Sequence, residues 1–505
     1  MGSSFYIIEK NPDAIPLAGI PVLSYQQFTR ETDRLMASGS THCLNYFVVP
    51  SRDQYRFICL IADDSNGSIC ILSHVTPAGK RIELESLTSM HSGLHIFERE
   101  IHEEYGIEFH GHPWLKPVRF PSYRADRNQV MDNYDFYQIG GEEHHEVGVG
   151  PIHAGVIEPG HFRFICNGER VLHLEIQLGY QHRGVERLLD GETAPLQKIL
   201  LSENIAGDTA TGHALCHVQM MESLSGRLVS QQLQKERAIA IEMERIAVHI
   251  GDTAALCGDI AYQIGQAVNE ALRTLVINTT QQWCGNRFGK GLMRPGGTNH
   301  LLTSDLKNLL LNHLSEIEER YLQMSGRLFS MPSVLSRFES TGRVTKRQAE
   351  LLGTVGMAAR SSGVKRDIRW SHPFQAFRGM KYNPVLFDEG DVWARAKLRE
   401  AEVVSSVGLI RELLMELPAD RKDQKPDYGL VLSPSSLSVS AVEGWRGEIV
   451  HTAVTDENGK IIRYKVKDPS LHNWMALAIA MRNQEISDFP LCNKSFNLSY
   501  CGHDL

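Results

Sequence analysis

Short apolar runs come first along the chain. "HCLNYFVVP" (42–50), "QYRFICLIAD" (54–63) and "GSICILSHV" (67–75) mix aromatic and β-branched residues and are parted by Asp, Ser, Asn and Gly. That pattern predicts an antiparallel meander. The period then lengthens: Leu94, Phe97, Ile101 and Tyr105 lie three to four apart and predict an amphipathic helix, which "GHPWLKPVRFP" breaks. A polar, charged stretch, 122–149, reads as a connector. Two strands are predicted around Asn167-Gly168, a strong turn dipeptide. From there the pattern is helical, with long segments at about 195–228, 231–282, 301–325 and 391–416. A second hairpin is expected around Asn458-Gly459, then a last helix over about 471–485 and a polar, aromatic tail. The fold class is α+β: a small N-terminal α/β domain (1–121), the connector (122–149), and a helix bundle with peripheral β-hairpins (150–505).

Composition narrows the function classes. The 505 residues carry a net charge of -8 and no basic block, which argues against nucleic-acid backbone binding. The start of the sequence has no basic segment leading into an apolar run, and no uncharged stretch approaches the ~20 residues of a membrane span. The expectation is a soluble, cytoplasmic chain. Nine scattered cysteines, with no C-x-x-C pair, predict neither a disulfide framework nor a local zinc or iron–sulfur motif. "EEHHE" (142–146) has metal-ligand residue types but sits in the polar connector, where a solvated tract is expected.

"ENIAGDTATGHALC" (203–216) is small and weakly polar where a packed helix should begin. Neighbouring motifs give it a context. "FEREIHEEYGIEFHGHPWLKPVRFP" (97–121) resembles the signature of the small peripheral-arm subunit of respiratory complex I. "GPIH", "EPGHFRF", "HRGVERL", "MERIAVHIGD", "GLMRPGG", "RSSGVKRDIRWSHPF" and "EGWRGE" follow in the order found in large subunits shared by complex I and energy-converting, formate-hydrogenlyase-type [NiFe]-hydrogenases. The resemblance covers nearly the whole chain and implies a fused small-plus-large subunit with a hydrogenase-large-subunit-like bundle.

In that family two cysteine pairs hold nickel and iron. Glu203, Gly207 and His213 keep their places in the first motif, but its ligand positions carry Ala206 and Thr209. In the second, "DPSLHNW", they carry Ser470 and Asn473. A methyl, two hydroxyls and an amide do not replace four soft thiolates, so nickel is expected to be absent.

The resemblance to complex I implies a quinone cavity in the same place. Of its three family positions, the Asp is matched by Asp259, the Tyr by Ile205, and the His aligns near Pro159, beside His161; His153 matches the first His of the motif. Asp259, His153 and His161 are thus the catalytic candidates. Arg183 matches the arginine lying against the terminal Fe–S cluster of a partner subunit, the alternative being an ion pair with Glu186 or Glu203; His182 and His249 accompany it. Glu244, His249 and Asp252 share a helix and are expected either to relay protons toward Asp259 or to form a satisfied core network.

Two functions stay open. The chain frames a cavity beside the partner's Fe–S cluster and passes electrons to a quinone or another acceptor, or it is a scaffold joining an electron-donor module to an ion-translocating membrane module. Expected partners are an Fe–S small subunit, a ferredoxin-like subunit and integral membrane subunits, with the chain peripheral on the cytoplasmic face of the membrane and holding no cofactor firmly itself.

Overall fold

The computed structural model describes residues 4–79, 81–141, 143–155, 157–417 and 424–505. The meander forms as expected: Thr41–Pro50, Gln54–Asp63 and Ser68–Pro77 pair antiparallel, and Tyr6–Ile8 adds to the free edge of Ser68–Pro77. The strands read as unbroken apolar runs because both faces of the sheet are buried. One face meets the helices Tyr25–Met36 and His95–Tyr105 through Phe28, Tyr46, Phe57 and Phe97. The other, with Phe47, Ile58, Leu60 and Ile71, joins the core of the large domain. Gly106, at φ 69°, ends the second helix in the left-handed conformation that glycine adopts without steric cost.

The connector is less irregular than its polarity suggests. Its last residues, His145–Val149, pair with His161–Asn167 and make a three-stranded sheet with Arg170–Gln177. Two long helical segments are each divided. The first gives Pro195–Ser202 and Ala210–Ser225, separated by 203–209; the second gives Gln231–Asp259 and Gln263–Cys284, separated at Ala261, which has φ 59°. Helices Ser304–Leu328 and Val392–Met415 complete the bundle.

The second hairpin, Glu448–Thr455 with Ile461–Lys467, lies deep in the molecule. Ser436–Glu443 pairs beside it, and every residue of Ser436–Glu443 and Glu448–Thr455 is buried. The fourth strand of that sheet is Asp13–Pro16, from the N-terminal segment. After the helix Ser470–Ala480 the tail folds into two short helices, Phe489–Phe496 and Tyr500–Asp504. Its aromatic residues explain this: Phe489 and Tyr500 pack on Phe162. Among the described residues no helix is long and apolar enough to cross a membrane.

Candidate functional site

The stretch 203–209 leaves the helix Pro195–Ser202 and is pinned on several sides. Glu203 accepts from Arg294 Nη1 at 2.7 Å and from the Gly291 N–H at 2.8 Å. Arg183 donates to the carbonyls of Asn204 (2.7 Å) and Ile205 (2.9 Å). Trp445 Nε1 donates to the Asp208 carbonyl at 2.9 Å. The main anchor is Arg446. Its two terminal nitrogens grip the Asp208 carboxylate, each at 2.6 Å; Nη1 also donates to Thr209 Oγ1 at 2.9 Å and Nε to the Asn497 carbonyl at 2.6 Å. Such a forked, charge-assisted pair fixes geometry as well as contributing energy.

The second motif meets the first at this guanidinium. Arg446 and Asp468 lie close enough for the cation to stabilise the Asp468 carboxylate. Asp468 accepts from the Ser470 N–H at 2.7 Å, and Ser470 Oγ accepts from the Ser499 N–H at 2.9 Å. Asn473 closes a two-way bond with the N–H and carbonyl of Val355, at 3.2 and 3.1 Å. The next residue, Gly356, packs so closely on Gly447 that a Cβ on Gly447 would lie 2.6 Å from the Gly356 Cα. Thr209 thus touches Arg446, Ser470 neighbours Asp468 beside it, and Asn473 holds the residue before Gly356, while the Ala206 carbonyl accepts from the Thr209 N–H at 3.1 Å. None of them offers a thiolate.

A polar cavity of about 530 Å³ opens beside this neighbourhood, lined by Asp208, Asp252, Asp259, Glu270, Arg273 and Lys494 among others. Asp259 is exposed on it at the end of its helix; partial burial pushes its carboxyl up and Lys494 pulls it back. Glu244, His249 and Asp252 are not bonded to one another. Glu244 accepts from the N–H groups of Thr211 (2.7 Å) and Gly212 (3.1 Å), in the first turn of Ala210–Ser225, yet burial pushes it up to about 8. His249 bonds Glu402 at 2.7 Å, and burial pushes its imidazole down to about 4. Asp252 takes Arg399 Nε at 3.0 Å and Asn497 Nδ2 at 2.7 Å.

His153 and His161 sit elsewhere, in the hairpin region. His153 Nε2 is 2.8 Å from the Gly160 carbonyl, and His161 Nδ1 is 3.1 Å from the Gly150 carbonyl. Neither is hydrogen-bonded to Asp259 among the described residues, so the three catalytic candidates do not form one constellation. His182 Nδ1 bonds the Asp504 carbonyl at 2.8 Å. Arg183 is exposed and takes its third carbonyl from Cys501. Glu186 pairs with Lys465 and Glu203 with Arg294, so Arg183 has no ion pair with either. Of "EEHHE", Glu142 lies outside the described residues; Glu146 pairs with Arg163, and no metal-holding group of His, Cys, Asp or Glu occurs among the described residues.

Sequence reading passed over Arg446, Asp208 and Asp468, and with them a buried row of rings. His213 Nε2 is 3.0 Å from Asp468 Oδ2, His213 Nδ1 is 3.1 Å from His451 Nε2, and the Tyr464 hydroxyl lies 2.7 Å from both His451 Nδ1 and His217 Nδ1. The available signal was a ring inside each strand: His451 between Val450 and Thr452 in "EIVHTAV", and Tyr464 between Arg463 and Lys465 in "IIRYKVK".

Comparison with known proteins agrees with this architecture. Residues 27–123 match the 30 kDa subunit family of respiratory-chain NADH dehydrogenase, and residues 266–435 match its 49 kDa subunit family. Over 351 residues the chain is 30% identical to the carbon monoxide-induced hydrogenase of Rhodospirillum rubrum, spanning 69% of this chain and 96% of that one. The chain belongs to the large-subunit family of hydrogenases and complex I. Its small-subunit domain is fused to that large subunit, as the two matched families require. Other members of the family are formate hydrogenlyase subunit 5 of Escherichia coli, 27% identical over 80% of this chain and 74% of that one, and the C/D subunit of NADH-quinone oxidoreductase from Phocaeicola vulgatus, 23% identical over 85% and 88%. Among solved structures, a chain of the membrane-bound sulfane sulfur reductase, an archaeal respiratory membrane complex, superposes with a TM-score of 0.66, covering 73% of this chain and 100% of that one; at 21% identity the likeness is one of fold.

Proposed function

We propose that the chain is a nickel-free subunit of a membrane-associated oxidoreductase complex of the complex I and hydrogenase type, framing a cavity beside a partner's Fe–S cluster. One observation carries the reading. The positions that the resemblance pairs with the family's four metal-binding cysteines hold Ala206, Thr209, Ser470 and Asn473, and Thr209 accepts from Arg446. A soft metal centre needs thiolates. Here the polar groups are engaged within the protein, and a guanidinium stands against Thr209, where it repels a divalent cation. These residues do not fit a thiolate-bridged nickel–iron centre. Elemental analysis of the purified complex tests this directly. Substoichiometric, background nickel and no hydrogen uptake are expected; one nickel per chain, or hydrogen-dependent reduction of a dye, would overturn it.

Arg183 supports the electron-transfer side of the reading. Its exposed guanidinium is held by three carbonyls and neutralised by no carboxylate among the described residues, which suits a fixed positive charge presented to a partner's cluster. The scaffold reading also has support, in the separation of Asp259 from His153 and His161. A quinone headgroup needs donors at its carbonyl oxygens, one of them able to deliver a proton. Turnover of an assembled Asp259→Asn complex distinguishes the two.

A further inference from the structure

Asp468, His213, His451, Tyr464 and His217 form one unbroken hydrogen-bonded row, with links of 3.0, 3.1, 2.7 and 2.7 Å. All five are buried. Packing alone does not call for this: apolar side chains fill such space without the ~1–3 kcal/mol that each unpaired polar group costs. The two ends of the row differ. At the inner end Asp468 lies beside Arg446, at the metal positions. At the outer end His217 lines a second cavity, of about 350 Å³, whose wall also includes Lys198, Tyr428 and Lys460. Its Nε2 has no hydrogen-bond partner among the described residues.

The proton positions follow from the bonds. Burial pushes the Asp468 carboxyl up, but the hydrogen bond from His213 and the charge of Arg446 outweigh it and hold the group below the usual range. An ionised Asp468 accepts, so His213 Nε2 donates to it. In the inward orientation of the row, His213 Nδ1 accepts from His451 Nε2. Burial pushes His451 well down, so that ring is neutral too, and its Nδ1 accepts from the Tyr464 hydroxyl. The Tyr464 oxygen in turn accepts from His217 Nδ1, because burial pushes His217 down to about 3 and leaves it neutral. Every donor points inward, and a lone pair on His217 Nε2 faces the outer cavity.

We propose that this row is a proton path from the outer cavity to the buried site around Arg446. A proton binds His217 Nε2. His217 Nδ1–H passes to the Tyr464 oxygen, the Tyr464 hydrogen to His451 Nδ1, the His451 Nε2 hydrogen to His213 Nδ1, and the His213 Nε2 hydrogen to Asp468. One proton enters and one arrives; no group is oxidised or reduced. A cation lodged on His217 is costly, so the shifts are coupled and the charge does not rest on any one ring. The path deepens the proposed function, and rests on it only for what the delivered proton serves.

The test uses the full chain labelled with 15N-histidine. Tyr464→Phe keeps the ring and removes the one hydroxyl that joins the two halves of the row. Exchange of the His213 and His451 ring N–H protons with solvent is expected to slow by roughly 10-fold or more, while amide exchange in Glu448–Thr455 is unchanged. Equal ring exchange in the two proteins, with intact amides, overturns the path. Should the variant loosen those strands, His217→Gln at the cavity wall decides: ring exchange as fast as in the wild type overturns the proposal, slowed exchange supports it. A complex with no redox turnover would remove the proposed function and leave this result standing. Where the complex does turn over, Tyr464→Phe is expected to lower its rate and raise its solvent isotope effect, a change that a merely structural hydroxyl would not produce.

Discussion

Arg446 holds the Asp208 carboxylate with both terminal nitrogens at 2.6 Å, across 238 residues of sequence. Arg446 itself is buried, and Asp468 shares its charge. Removing the guanidinium unpairs the partly exposed Asp208 carboxylate, takes a cation from buried Asp468, which keeps its bonds to His213 and Ser470, and unties the stretch 203–209. Arg446→Met is therefore expected to cost about 1–3 kcal/mol of stability, read as a lower urea midpoint. A loss under ~1 kcal/mol would mean that solvent reaches Asp468 and the neighbourhood is open.

The contact between Gly356 and Gly447 sets a second expectation. Gly356 has φ 62°, and a Cβ there would fall 2.0 Å from the Arg446 carbonyl oxygen. Backbone, unlike a flexible side chain, cannot swing aside. Gly356→Ala combines left-handed strain with that overlap and should destabilise by at least ~3 kcal/mol, or prevent folding. Wild-type thermal stability would show that the two segments are further apart than the structure places them.

Replacing Arg183 with Met removes a charge at the surface and three bonds to carbonyls. If the charge faces a partner's cluster, the midpoint potential of that cluster falls while the complex still assembles. An EPR redox titration superimposable on the wild type would leave Arg183 as a clamp on Asn204, Ile205 and Cys501.

Acid is expected to destabilise the chain through its buried imidazoles, opposed in part by buried Glu244, whose raised carboxyl gains stability as pH falls. Burial pushes His217 and His472 down to about 3 and His249 to about 4, below the ~6.5 of an unfolded chain. Their folded values are depressed, so their contribution is complete above ~6.5. As pH falls below that value the unfolded chain takes up protons that the folded chain refuses. Stability then drops by up to ~1.4 kcal/mol per pH unit for each imidazole. The urea midpoint at pH 5 is expected well below that at pH 7, and equal midpoints would mean that these rings are hydrated.

The strands of the meander were readable because Tyr46, Phe57 and Ile58 sit in runs that only a strand buried on both faces explains. The breaks at 203–209 and 260–262 were not. Ile205 and Ala206 are as buried as the helix residues on either side, so the small, weakly polar composition of 203–209 does not by itself show that the helix breaks there. Motif resemblance singles out residues 206, 209, 470 and 473 as expected ligand positions through their flanking residues. It is silent about which groups surround them. Arg446, in the turn between Ser436–Glu443 and Glu448–Thr455, and His451 lie more than 200 residues beyond the groups they bond, and one sequence carries no trace of which buried polar residues find each other.

Asp13–Pro16 completes the sheet of the large domain, and Asn11 beside it donates to the Ala441 carbonyl, 430 residues away. That strand leaves the ribosome more than 400 residues ahead of Ser436–Val439 and has no neighbour in its sheet until those residues are made. At ~5–20 residues per second the wait is on the order of 20–80 seconds. Throughout that time the opening segment is an unpaired edge, able to join a wrong strand. Fusion of the two subunits is thus more than a tether: the small domain lends the large one a strand, and neither half is finished until the other is.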